Sequence, residues 1–118
     1  MTLQEIKDIL EAEVLVGGNK DLKAEPSSAC GSDLLSDVLA FSKERSLLLT
    51  GLTNPQVIRT AEMSDLIGIV FVRGKRPDSA TLDLAGVKKI PILATRLPMY
   101  EACGRLYRSG IRGCSEVK

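Results

Sequence analysis

Three turns of this chain gather side chains suited to holding an anion. Thr50, Thr53 and Asn54 fall in the first, Arg73, Gly74, Lys75 and Arg76 in the second, Thr95 and Arg96 in the third. Each turn follows a short aliphatic run and leads into a segment of helical period. Helix N-termini present unpaired N–H groups and a positive dipole end, so such turns favour phosphate or carboxylate both by charge and by donor supply. A nucleotide or phosphate site built from Thr50, Thr53, Asn54, Arg73, Gly74, Thr95 and Arg96 is one reading. The other is that Thr and Asn cap helices while Arg and Lys form a solvated rim.

Other chemistry is poorly supplied. The chain has no histidine, which removes Ser-His-Asp and Cys-His arrangements and the commonest general base and metal ligand. Neither GxxxxGK[ST] nor GxGxxG occurs, so a self-sufficient nucleotide hydrolase or dinucleotide enzyme is not indicated. Cys30, Cys103 and Cys114 lack metal-ligand spacing. Cys103 keeps helical register with Met99 and Leu106 and reads as packing, and Cys114 reads as incidental. Cys30 precedes a helix, where thiol pKa can fall; a small buried thiol is the alternative. Asp33 and Asp37 are four apart at a helix start and read as caps and dipole partners. No catalytic residue, metal or cofactor is expected.

The elements that position these turns repeat one device. Leu47-Leu48-Leu49-Thr50, Ile69-Val70-Phe71-Val72 and Ile92-Leu93-Ala94-Thr95 each precede a polar turn, a proline (Pro55, Pro77 or Pro98) and an amphipathic stretch. Proline suits the first helical turn, where its missing N–H costs nothing. Helices are expected from Pro55 to about Met63, from Pro77 to about Ala85, and from Pro98 to about Ser109. Asn54 is placed as an N-cap and Gly110 as a C′ residue. Strands alternating with helices imply an α/β domain with a mostly parallel sheet and flanking helices, three-layer-like, with its βα turns along one edge. Ligands in such folds bind along that carboxyl edge.

Upstream, Thr2 and Glu5 make a capping box ahead of a helix to about Glu11. Residues 12–16 read as a strand and 18–28 as at most a weak edge strand. Residues 29–33 read as a turn into a helix that Ser32 or Asp33 caps, with Leu34, Leu35, Val38 and Leu39 buried. One domain over 1–110 and a frayed tail over 111–118 are expected.

The chain of 118 residues, 44% hydrophobic, can bury an aliphatic core. Sixteen basic against fifteen acidic residues and 3% aromatics favour neither nucleic acid nor a membrane surface. No apolar run is long enough to span a bilayer. An acidic N-terminus unlike a leader and an odd cysteine count fit the cytoplasm. Met99, Tyr100, Cys103, Leu106 and Tyr107 spread wider than one core stripe, which points to a homodimer through the last helix.

Two runs carry a family resemblance. Thr50–Glu62 continuing into Ile69–Pro77, and Ile90–Thr95 leading into Met99–Ala102, resemble the DRTGG domain. The family's namesake Asp-Arg and Thr-Gly-Gly positions fall at Leu52–Asn54 and Val72–Gly74, where Gly74 is the matching residue. The resemblance implies an α/β domain similar to the N-terminal domain of HPr kinase/phosphorylase, acting as a regulatory or dimerising module without catalysis. Such domains accompany CBS domains in regulated pyrophosphatases and phosphate acetyltransferase domains. Stand-alone members imply a link to anti-sigma-factor-type kinases or iron-hydrogenase systems, with an unidentified protein partner.

Overall fold

The structure, a computed structural model, describes residues 1–117. Helix α1 (Leu3–Leu10) opens the chain behind the expected capping box: Glu5 N–H donates to Thr2 Oγ1, and Thr2 N–H to Glu5 Oε1. Its Leu3, Ile6 and Leu10 are fully buried, the i, i+3, i+7 stripe that drives such a helix onto a sheet. Strand β1 (Glu13–Val16) follows. A short 3-10 turn, Asp21–Lys23, then replaces the expected edge strand, with Leu22 buried in the core.

Strand β2 (Ala29–Gly31) occupies the stretch expected to be a turn. From there the chain runs α2 (Leu35–Phe41), β3 (Leu47–Thr50), α3 (Pro55–Met63), β4 (Gly68–Phe71), α4 (Ser79–Lys88), β5 (Ile92–Ala94) and α5 (Met99–Arg108). The sheet order is β1-β5-β4-β3-β2. The β2/β3, β3/β4 and β4/β5 pairs are parallel; β1 lies antiparallel against β5. β3 and β4 are buried at every position, as strands covered on both faces must be, which explains their unbroken aliphatic runs.

The two cores show how the helices divide. Val38, Val57, Ile58, Ala61 and Ala85 of α2, α3 and α4 pack on Leu48, Ile69, Phe71 and Ile92. Leu3, Ile6, Leu10, Ala102 and Leu106 of α1 and α5 pack on Leu47, Leu49, Val70 and Leu93. Three layers result, one helical layer on each sheet face.

Local details differ from the sequence expectations. Pro55 does sit in the first turn of α3, but Pro77 precedes the α4 N-cap Asp78, and Pro98 is itself the N-cap of α5. Asn54 occupies the N-cap of α3 with extended backbone, yet its side chain makes no capping bond. Helix α2 begins only at Leu35, and that late start turns Leu34, Leu39 and Phe41 outward, leaving Val38 as its buried residue. Gly110 does follow α5 with a left-handed φ of 109°. Among the described residues the expected fraying past it is not found, and Lys118, the last residue of the expected tail, lies outside them. Ile111 and Cys114 are buried, Ala29 N–H donates to Arg112 O, and Ala29 and Gly113 form a parallel bridge.

Candidate functional site

Register places the candidate residues in one row. Thr50 pairs with Phe71 and Phe71 with Ala94, so the turns after β3, β4 and β5 end level along the carboxyl edge. The turns after β2, β3 and β4 lead to helices on one face, and the turn after β5 leads to α5 on the other. The crossovers therefore change sides between β4 and β5, where open α/β sheets form their ligand crevice. Arg73, Gly74, Thr95 and Arg96 stand at that point.

The backbone closes this crevice. Arg73 N–H donates to Leu97 O at 2.9 Å and Gly74 N–H to Thr95 O at 2.8 Å. Arg73 and Gly74 both adopt left-handed φ, 63° and 69°, and Lys75 N–H returns to Val72 O. This tight turn aims its two central N–H groups at the neighbouring turn, so the donors a phosphate nest would use are already taken.

The threonines are engaged as well. Thr50 Oγ1 donates to Asp33 Oδ1 at 3.1 Å and accepts from Leu52 N–H; Gly51 N–H donates to the same carboxylate at 2.7 Å. Asp33 thus ties the β2–α2 turn to the end of β3 and does not cap α2. Thr95 Oγ1 donates to Leu10 O at 2.7 Å and accepts from Leu97 N–H, holding α1 to the sheet. Thr53 is half-buried and Asn54 exposed.

Of the basic residues, Arg76 bonds Glu13 at 2.7 Å. Its guanidinium holds the Glu13 carboxyl below the ordinary range, and the carboxylate raises Arg76 in turn. Arg73, Lys75 and Arg96 are exposed and make no ion pair among the described residues. A hollow of about 300 Å³ runs from Gly74, Arg76 and Arg96 to Glu11 and Glu13, so carboxylates share the basic rim. The N-terminus of α4 is filled by Asp78, whose carboxylate accepts from Thr81 N–H; those of α3 and α5 have no side-chain cap.

Two further hollows lie on the opposite edge of the sheet, on either side of β2. One of about 740 Å³ runs between β2, α5 and the C-terminal segment and touches Gly31, Tyr100, Cys103, Tyr107 and Arg112. Another of about 520 Å³ lies on the other side of β2 against Phe41 and Cys114. Gly31 allows α5 to cross β2 closely: a Cβ there would stand 2.7 Å from Cys103 Sγ, which would have to shift. Around this edge large apolar side chains face solvent: Phe41 is 70% exposed, Tyr100 88% and Tyr107 62%. Cys30 is in β2 and not at a helix start. Burial pushes its thiol up to about 12, so it is a packed thiol. Sequence reasoning missed this edge because it read β2 as a turn.

A family model described as the DRTGG domain matches residues 5–109. The chain belongs to the DRTGG domain family. This DRTGG domain is similar in fold to a crystal structure of the CBS and DRTGG domains of the regulatory region of Clostridium perfringens pyrophosphatase, complexed with its activator, diadenosine tetraphosphate. The TM-score is 0.77 at 15% identity, covering 99% of this chain and 50% of that one. The chain therefore spans half of that regulatory structure, and the likeness is one of fold. A comparison with curated proteins gives no match. No described helix is long and apolar enough to cross a membrane, and no cluster of metal-ligating side chains occurs among the described residues.

Proposed function

We propose that this DRTGG domain is a non-catalytic regulatory module that works by docking, first of all with a second copy of itself, through the β2 edge. The observation that carries this reading is the exposure of Phe41, Tyr100 and Tyr107 around a short edge strand. Phe41 stands on one side of β2 and Tyr100 and Tyr107 on the other, and large exposed apolar side chains flanking an edge strand suit a partner that covers both sides. Edge strands also carry unpaired backbone groups that another chain can satisfy. By strand alternation Gly31 turns its N–H and C=O away from β3, since Ser32 N–H donates to Leu49 O. The three free cysteines support a reducing, cytoplasmic setting. The family resemblance points to an anti-sigma-factor-type kinase or an iron-hydrogenase component as the further protein partner. Light scattering of the wild type against Phe41→Asp/Tyr100→Asp tests the reading: a dimer that the double variant converts to monomer supports it, and a monomeric wild type at high micromolar concentration refutes it.

A second reading rests on Arg73 and Arg96. They flank the side change of the sheet, a Cβ added at Gly74 would lie 4.0 Å from Arg96 Cγ, and neither guanidinium has an acidic partner among the described residues. With Thr53 and Asn54 farther along the row, they could hold the phosphates of a nucleotide by charge-assisted bonds. The related pyrophosphatase region binds diadenosine tetraphosphate, which makes that compound, ATP and inorganic phosphate the panel to try. Stabilisation of wild type but not of Arg73→Ala/Arg96→Ala in a thermal-shift assay supports this reading. Equal shifts in both return the two arginines to the solvated rim.

A further inference from the structure

The chain's three cysteines, distant in sequence, converge on β2, and the strand's two faces separate them. Ala29 bridges Gly113 in parallel register, so Cys30 and Cys114 each follow a member of that pair by one residue. That bridge sets the two backbones about 4.8 Å apart at Ala29 and Gly113; Cys114 then opens a 3-10 turn, Cys114–Glu116, with its side chain in hydrogen-bond contact with that of Cys30. Side chains two apart on a strand share a face, which puts Ser28 and Cys30 together on the α2 side. Cys114 Sγ lies 3.4 Å from Ser28 Oγ, hence on that same side. Cys30 and Cys114 also line one hollow of about 520 Å³. Cys103 belongs to the opposite face, where its sulfur packs over Gly31 and contacts Met99 Sδ at 3.7 Å.

We propose that Cys30 and Cys114 form a dithiol modification site, closed to an intramolecular disulfide by exchange with a low-molecular-weight disulfide. In the first step one of the two sulfurs, its proton lost to solvent, attacks one sulfur of the reagent. A mixed disulfide forms and one thiolate leaves. The other cysteine, giving up its own proton, then attacks the protein sulfur of that mixed disulfide and expels the second thiolate. Two protein thiols are oxidised and one small disulfide is reduced to two thiols, so atoms and electrons balance.

Cys30 is half-buried and Cys114 buried, and the hollow they share is the way in for the reagent. Burial pushes the Cys30 thiol up to about 12. Burial also acts to raise the Cys114 thiol, but hydrogen bonds with Ser28, the Lys43 backbone, Ser46 and Cys30 together hold it below its ordinary 9.0. Closure would staple the C-terminal segment to the open side of β2, the edge on which docking is proposed. The site itself does not depend on that docking.

The full chain, reduced and then freed of reductant, is exposed to oxidised glutathione and mapped by mass spectrometry without reduction. The expected product is a monomeric Cys30–Cys114 linkage, with titratable thiols falling from three to one and Cys103 remaining free. Cys103→Ser should behave as wild type, and Cys114→Ser should lose the linkage. Should Cys114→Ser fail to fold, the wild-type peptide map decides alone. Glutathione retained on either cysteine without closure, a linkage that includes Cys103, an intermolecular bond, or three thiols left unreacted would overturn the proposal.

Discussion

Replacing Gly31 by alanine probes the contact that shapes the proposed docking edge. A Cβ at this position would lie 2.7 Å from Cys103 Sγ and 3.0 Å from Met99 Sδ, whereas unstrained carbon contacts sit at about 3.5–4.0 Å. The Cys103 and Met99 side chains, or helix α5 with them, would have to shift, and overpacking of this kind costs about 1–3 kcal/mol. Gly31 does not have a left-handed φ, so alanine suits its backbone and regains about 0.4–1 kcal/mol through the unfolded chain. The net expectation is destabilisation by about 1–2 kcal/mol. Trimming the opposing sulfur should remove much of the clash. In Gly31→Ala/Cys103→Ala the two changes should therefore be non-additive, the double variant being more stable than their sum by about 1 kcal/mol. Urea denaturation followed by circular dichroism on the four proteins of the cycle measures this directly. Additivity within about 0.5 kcal/mol would mean that α5 does not seat on β2 as described.

Four further substitutions test individual contacts. Thr95→Val keeps the shape but deprives the buried Leu10 carbonyl of its donor, and should cost about 1–3 kcal/mol in the same assay. Asn54→Ala should stay within about 0.5 kcal/mol of wild type, because the Asn54 side chain makes no capping bond. Thr81 Oγ1 is buried without a hydrogen-bond partner, so Thr81→Val should be neutral or stabilising; a clear loss would show the hydroxyl reaching the Asp78 carboxylate. Hydrogen bonds from Thr2 lower the Glu5 carboxyl below its ordinary 4.5. Its contribution is then present above the unfolded value and lost as pH falls through the folded one, so melting curves of wild type and Glu5→Gln should differ at neutral pH and converge in acid.

The strand–turn–helix repeat was legible because its strands are covered on both faces. Leu47–Leu49 and Ile69–Val72 must then be continuous aliphatic runs, and an unbroken run flanked by turn residues is visible without a structure. β2 was not, since three residues ending in glycine between two serines show neither alternation nor a run. Its strand character comes from Leu47–Leu49 alongside it. That omission also hid the C-terminal segment, whose Ile111 and Cys114 are buried only because β2 and its neighbours are there to receive them. Along the carboxyl edge, topology alone brought Thr50, Arg73, Thr95 and Arg96 into one row. What the sequence could not show is where their polar atoms are spent: Asp33 reaching Thr50 and Gly51, Thr95 reaching Leu10, and the two N–H groups after β4 turning to the β5 turn. Such long-range hydrogen bonds leave no periodic trace.

Sedimentation velocity over a concentration series tests the central claim, docking at the β2 edge, most directly. Wild type should shift from monomer towards dimer as concentration rises through the micromolar range. Phe41→Asp/Tyr100→Asp should remain monomeric throughout with an unchanged urea midpoint, since both side chains are already in solvent. A wild type that stays monomeric at high micromolar concentration, or a double variant that associates as well as wild type, would contradict the account.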